Sequence, residues 1–185
     1  MAPLILVSGP SGCGKSTLIR RLLDEGVWPL RLSVSATTRQ PRTGEVDGVH
    51  YHFWTPAEFA RSKELDAFLE WAEVHGNHYG TLVDEVTPFR EKGVGVLLDI
   101  DVQGAEQVRK RCPDAVSIFV RTTTIETLEK RLRSRGTERE EVIQRRLAAA
   151  RAEISRADEY DYQVINDDLD TALASMRAIL NHLFG

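Results

Sequence analysis

The segment Leu4-Ile5-Leu6-Val7-Ser8-Gly9-Pro10-Ser11-Gly12-Cys13-Gly14-Lys15-Ser16-Thr17 decides the fold. It opens on a short apolar run, the pattern of a parallel strand buried on both faces. Leu18, Ile19, Leu22 and Leu23 then recur at helical spacing up to Asp24. Between the two lies Gly-x-x-x-x-Gly-Lys-Ser, from Gly9 to Ser16. Glycines let a backbone curl until successive N–H groups converge on phosphate oxygens. The helix N-terminus adds positive partial charge at the same place. Lys15 supplies a point charge, and the Ser16 hydroxyl is a ligand for Mg²⁺. Strand, glycine-rich turn and helix in that order point to nucleoside triphosphate binding. They leave the phosphoryl acceptor open.

Strand-like and helix-like segments alternate outward from this motif. The pattern predicts an α/β fold with a central parallel sheet flanked by helices. Residues 94–98, ending in Asp99, read as a second central strand, 116–120 as a third and 163–165 as a fourth. Helical patterns fill 105–110, 125–134, 138–157 and 169–183, with Thr124, Thr127 and Asp168 as start signals. Residues 33–83 differ, being rich in Ser, Thr, Gly, Tyr and Trp; 50–53 and 68–75 look like strands. An inserted lobe accounts for this segment better than an independent domain. The Arg-rich helical segment 124–150 is a second candidate for a mobile element.

The 185 residues, 42% hydrophobic and 28% charged, suit one globular domain. A net charge of −4 lacks the basic excess of a general nucleic-acid binder. Two cysteines, Cys13 and Cys112, are too few for a disulfide framework or a cysteine zinc site. No stretch approaches the ~18 apolar residues of a membrane span, and the N-terminus lacks signal-peptide features. A cytoplasmic setting follows as the expectation, without a nucleic-acid or membrane partner.

Acidic residues end the second strand. Asp99 and Asp101 suit either Mg²⁺, usually through water, or the cap of the next helix, and the two readings balance. Three features of the lobe bear on the acceptor. Arg39 and Arg42, beside Pro41, suit a bidentate clamp on a phosphate, although such pairs are more often solvated surface. Strand alternation places Phe68, Glu70, Ala72 and Val74 on one face, so Glu70 is a carboxylate in an apolar row. It must meet an arginine or accept hydrogen bonds from a ligand. The N1–H and exocyclic amine of guanine suit it, and an internal ion pair is the simpler alternative. Tyr51 and Tyr79 suit either a phosphate site or ordinary packing.

These residues resemble the guanylate kinase family. The resemblance is carried by 9–17, by Ser33-Val34-Ser35-Ala36-Thr37-Thr38-Arg39-Gln40-Pro41-Arg42-Thr43-Gly44-Glu45, and by Tyr51-His52-Phe53. It continues through Phe68-Leu69-Glu70-Trp71-Ala72, Gly76-Asn77-His78-Tyr79-Gly80-Thr81 and Leu98-Asp99-Ile100-Asp101-Val102-Gln103-Gly104. Lys130 to Thr137, Arg145-Arg146-Leu147 and Val164 to Leu169 complete it over essentially the whole chain. The resemblance implies a P-loop nucleoside monophosphate kinase fold and the reaction ATP + GMP ⇌ ADP + GDP with Mg²⁺, with dGMP as a further acceptor. It implies one domain: a core near 1–34, 82–123 and 151–185, a GMP-binding lobe near 35–81 and a lid near 124–150.

By the same resemblance, Gly9, Pro10, Ser11, Gly12, Cys13, Gly14, Lys15, Ser16 and Thr17 would bind ATP, with Asn166 near the adenine. Arg39, Arg42, Tyr51 and Tyr79 would hold the GMP phosphate. Ser35, Glu70 and Thr81, with Gly80, would meet the base. Asp101 would lie near GMP and the metal shell, and Ser16 and Asp99 would serve the metal. Lys15, Arg39, Arg131, Arg135 and Arg146 would act on the transferring group. A monomer and a homo-oligomer are both open. A phosphopeptide-binding module on the same fold is the rival from another class, but such modules typically degrade the phosphate loop, which is intact here.

Weaker signals remain. The Cys13 thiol stands where oxidation would matter. His50, His52, His75 and His78 lie in nearby segments without the spacing of a known metal site. Trp28, Trp54 and Trp71 read as packing.

Overall fold

The computed structural model describes residues 1–74, 76–134 and 139–185. Strand β1 (Leu4–Ser8) is buried along its whole length. Its alternate side chains serve two cores, as a sheet covered on both faces requires. Ile5 and Val7 pack with Leu18 and Leu22 of α1 (Lys15–Asp24) and Met176 of α7 (Leu169–Phe184). Leu4 and Leu6 pack on the other face with Val108 of α4 (Val102–Arg111).

β1 pairs in parallel with β7 (Gly95–Asp99) and β8 (Val116–Arg121). β2 (Leu30–Leu32) and β9 (Tyr162–Ile165) take the edges, giving the order β2-β7-β1-β8-β9, parallel throughout. From β1 the chain first winds to one edge and later crosses to the other. The carboxyl ends of β1 and β7 therefore flank the crevice where such sheets bind ligands. α5 (Ile125–Ser134) and α6 (Glu140–Ile154) cover the β1 face through Leu128, Leu132, Ile143 and Leu147.

Between β2 and β7 the chain builds a second, mixed sheet. β3 (Ala36–Thr37), β4 (His52–Phe53), β5 (Phe68–Val74) and β6 (Asn77–Leu82) lie in the order β4-β3-β6-β5. Its small core is Ala36, Phe59 and Phe68, edged by Trp54, Trp71 and Leu82. Phe59 comes from α2 (Pro56–Glu64), and α3 (Thr87–Glu91) leads back to β7.

Most expected elements are present within a residue or two. The helix expected at 105–110 starts three residues sooner because Asp101 caps it. The helix expected at 138–157 is Glu140–Ile154, followed by a 3₁₀ turn at Ala157–Glu159. The strand expected at 50–53 is only His52–Phe53, since the N–H groups of Val49 and His50 both donate to Val46 O in a turn.

The alternation expected along 68–74 is broken. A β-bulge sets Phe68 opposite Leu82 but Glu70 opposite the next residue, Thr81. Phe68 consequently turns into the small core with Phe59, Leu69 enters the main core, and Glu70 faces a cavity with Ala72 and Val74. Among the described residues, no helix is long and apolar enough to cross a membrane.

Candidate active site

The phosphate loop leaves β1 at Gly9. A Cβ there would fall 1.9 Å from the Val120 carbonyl oxygen, and φ is 143°, so only glycine lets the loop lie against β8. Gly14 is the N-cap residue of α1 and no side chain caps that helix. Its first N–H groups remain open to an anion. Pro10, Ser11, Gly12, Gly14, Lys15, Ser16 and Thr17 line the resulting hollow. Lys15 Nζ donates to Gly9 O at 2.6 Å. Ser16 Oγ donates to Asp99 Oδ2 at 3.1 Å, tying the loop to the end of β7.

The sequence left open whether Cys13 is sensitive to oxidation. Its side chain is wholly buried in the core, and burial raises the thiol pKa. The thiolate that oxidation needs is therefore suppressed and out of reach.

The two aspartates have different partners. Asp99 meets Ser16. Asp101 caps α4, its Oδ1 accepting from Gly104 N at 2.8 Å. Both line a cavity of about 190 Å³ together with Ser35, Tyr51, Glu70, Tyr79 and Gly80. Thr81 forms the wall behind Glu70, donating Oγ1 to Glu70 Oε1 at 2.6 Å. Glu70 is only 6% exposed. Burial pushes its carboxyl up to about 7, against the Thr81 hydrogen bond, and the Asp101 charge adds to the rise. No arginine pairs with Glu70 among the described residues, so the internal ion pair is absent.

At the rim, the Tyr51 and Tyr79 rings meet edge-on at 5.9 Å. The Arg39 guanidinium lies over Tyr51 at 5.5 Å and Phe53 at 5.8 Å. Glu45 holds it from behind with two bonds, 2.9 Å from Nη1 and 2.8 Å from Nη2. The same carboxylate accepts the Arg42 backbone N–H at 2.7 Å, while the Arg42 side chain is exposed. Glu45 thus braces Arg39 and the backbone of Arg42, while the Arg42 guanidinium stays at the surface beside them. Sequence reasoning missed Glu45, although it follows Gly44 in the turn just after Arg42.

The helical segment supplies the third wall. Arg131 donates to Cys13 O at 3.3 Å and Asp167 O at 2.9 Å, above the loop. Asn166, 4% exposed, donates Nδ2 to the same Cys13 carbonyl at 2.7 Å. Arg145, Arg146 and Glu153 of α6 line a hollow of about 510 Å³ that also touches Ser11 and Asp101, joining loop to cavity. Glu153 was missed as well. Burial raises its carboxyl while the Lys15 charge lowers it. Arg135, expected beside Arg131, lies outside the described residues.

Among the described residues the histidines do not assemble. His52 Nε2 lies 2.9 Å from Glu85 Oε1, His50 Nδ1 accepts from Val46 N, and the His78 ring packs 5.3 Å from Phe59. His75 lies outside the described residues, among which no group of three metal-binding side chains occurs. Trp54 and Trp71 pack as expected, and Trp28 Nε1 donates to Asn181.

Comparison with known proteins gives a consistent result. The family model for guanylate kinase matches residues 1–183. A guanylate kinase of Shewanella violacea is 51% identical over 177 residues, covering 96% of this chain and 86% of its own. One from Rubrobacter xylanophilus is 51% identical over 180 residues, covering 97% and 94%. The crystal structure of guanylate kinase from Anaplasma phagocytophilum superposes with a TM-score of 0.77 at 34% identity, over 98% of this chain and 85% of that one.

Proposed function

This chain belongs to the guanylate kinase family, and from that premise we propose how its own residues move the γ-phosphoryl group of ATP to GMP. The reaction is ATP + GMP giving ADP + GDP, which returns the monophosphate to the purine diphosphate pool. One observation carries the assignment of residues. The phosphate loop and the Glu70 cavity converge on a single strand end, where Asp99 bonds Ser16 and, with Asp101, lines the cavity.

Residues 9–17 cradle the ATP phosphates with backbone N–H groups, and Lys15 exchanges its bond to Gly9 O for them. Asn166 faces the adenine. The oxygens of Ser16 and Asp99, 3.1 Å apart, are the hard donors that Mg²⁺ prefers, and we assign them to it, Asp99 through water. Held there, Mg²⁺ would supply neutralisation of charge on the phosphate oxygens.

Ser35, Glu70 and Thr81 read guanine, with Gly80 beside them. The ionised Glu70 accepts from N1–H and the exocyclic amine. Tyr51, Tyr79 and Arg39 take the GMP phosphate, and Arg42 turns in to join them. Asp101 stands between GMP and the metal shell. Arg131, Arg135 and Arg146 stabilise the charge of the transferring group as 124–150 and 35–81 close on the core, excluding water. Phosphoryl transfer needs alignment and charge stabilisation more than covalent help, so no general base is assigned. The substrates are small cytoplasmic metabolites. dGMP keeps both base and phosphate and is a second acceptor.

The test is ADP release from Mg-ATP with GMP, dGMP, AMP, CMP and UMP in turn. Fast release with GMP, slower with dGMP and little with the others is expected. Protein that binds GMP yet turns over none of them would overturn the reading.

A further inference from the structure

We propose that the first turns of α4 fix the position of the base-reading carboxylate, making Gly104 and Gln107 positioning residues for acceptor specificity. The inference rests on the reading that Glu70 meets guanine.

Gly104 is buried in the first turn of α4, and its N–H is taken by Asp101 Oδ1. Its backbone is ordinary helix, where alanine is the better former. The reason for glycine lies in the space above it. A Cβ at Gly104 would fall 2.8 Å from Glu70 Oε2 and 3.2 Å from the carboxyl carbon. The carboxylate would have to move. Its other oxygen is tethered to Thr81 Oγ1 at 2.6 Å, so it cannot retreat without straining or breaking that bond. Gly104 thus sets how deep the carboxylate sits in the cavity.

Gln107 lies one turn further along the same helix face. β5 is the edge strand of its sheet, with β6 on one side only. On the open side, Gln107 Oε1 accepts from Trp71 N at 3.3 Å and Nε2 donates to Trp71 O at 3.0 Å. The amide gives this residue the two bonds that a neighbouring strand would give. It does so at the residue after Glu70, just beyond the bulge where the register is least constrained. Asp101 begins the same helix and lines the same cavity. One rigid helix therefore references the base-reading group to the strand end where phosphoryl transfer takes place.

The experiment compares Gly104→Ala, Gln107→Leu and Glu70→Gln with the unaltered protein. KM for GMP and for ATP, kcat, the GMP-over-AMP preference and thermal melts are measured for each. Gly104→Ala is expected to raise KM for GMP on the order of 10-fold or more, the scale of a weakened hydrogen bond to a charged group. KM for ATP and kcat at saturating GMP stay near the original values while KM for GMP rises. Gln107→Leu moves KM for GMP in the same direction by less. Adding Gly104→Ala to Glu70→Gln costs little GMP preference beyond Glu70→Gln alone. Gly104→Ala with an unaltered KM for GMP, while Glu70→Gln loses its preference, overturns this proposal and leaves the Glu70 reading standing. A lowered melting temperature with both KM values rising together also overturns it, since that marks a general packing role. Unchanged preference in Glu70→Gln overturns the reading of Glu70 itself.

Discussion

Glu70 carries the sharpest conflict between stability and function in the molecule. With its carboxyl raised to about 7, it is a mixture of acid and carboxylate at neutral pH. Only the carboxylate accepts from both guanine donors. KM for GMP is therefore expected to fall as pH rises from about 6 to about 8, and Glu70→Gln is expected to leave only the part of that dependence that the GMP phosphate, titrating near about 6, supplies. Stability runs the other way. The folded value lies above the ordinary 4.5, so the folded chain binds the proton more tightly. The contribution is complete below about 4.5 and is lost as pH rises through about 7, roughly 3 kcal/mol in all. Urea unfolding at pH 5 and pH 8 should show Glu70→Gln gaining stability only at the higher pH. The sequence showed that a carboxylate lay in an apolar row. It could not show whether an arginine met it, because that depends on which element packs opposite. Gly104 was less legible still, since its requirement is a contact with another element and not a backbone conformation.

At the scale of elements, what was legible followed from continuity along the chain. The phosphate loop and α5 have their signals in consecutive residues, and both were found. α2 was overlooked, although Thr55, Pro56 and Glu58 form a start signal. Thr55 and Glu58 make a reciprocal capping box, with Thr55 Oγ1 accepting from Glu58 N at 3.2 Å and Glu58 Oε2 accepting from Thr55 N at 2.7 Å. Thr55→Ala is expected to cost about 1 kcal/mol in urea unfolding with kcat retained. Loss of kcat in proportion would tie the cap to the chemistry instead. Strands of two or three residues such as β3 and β2 exist because a neighbour sets their register, and no local pattern marks them. The bulge in β5 escaped for a related reason: period-two alternation presumes regular pairing.

Across the whole molecule, strand alternation announced a parallel sheet but not its order, which depends on the direction of each crossover. Nor did the sequence mark how the two sheets are joined. Arg31 of the parallel sheet donates to Glu85 Oε2 at 2.7 Å and to Glu85 O at 3.1 Å, and lies 3.7 Å over the Phe89 ring. His52 of the mixed sheet meets the other Glu85 oxygen at 2.9 Å. One half-buried carboxylate thus couples both sheets. Glu85→Gln is expected to speed amide hydrogen exchange in β4 while β1 and β7 stay protected. Equal acceleration in all three would mean that the coupling is not local.

The buried Cys13 gives the folded chain an internal clock. Cys112 is partly accessible, whereas Cys13 is sealed beneath the phosphate loop. A thiol-directed reagent should label one cysteine promptly and the second only when the loop opens. ATP, by occupying that loop, should lengthen the wait for the second label and leave the first unchanged. The rate of that slow step would measure how often the nucleotide cradle comes apart at rest, without any chemistry being run.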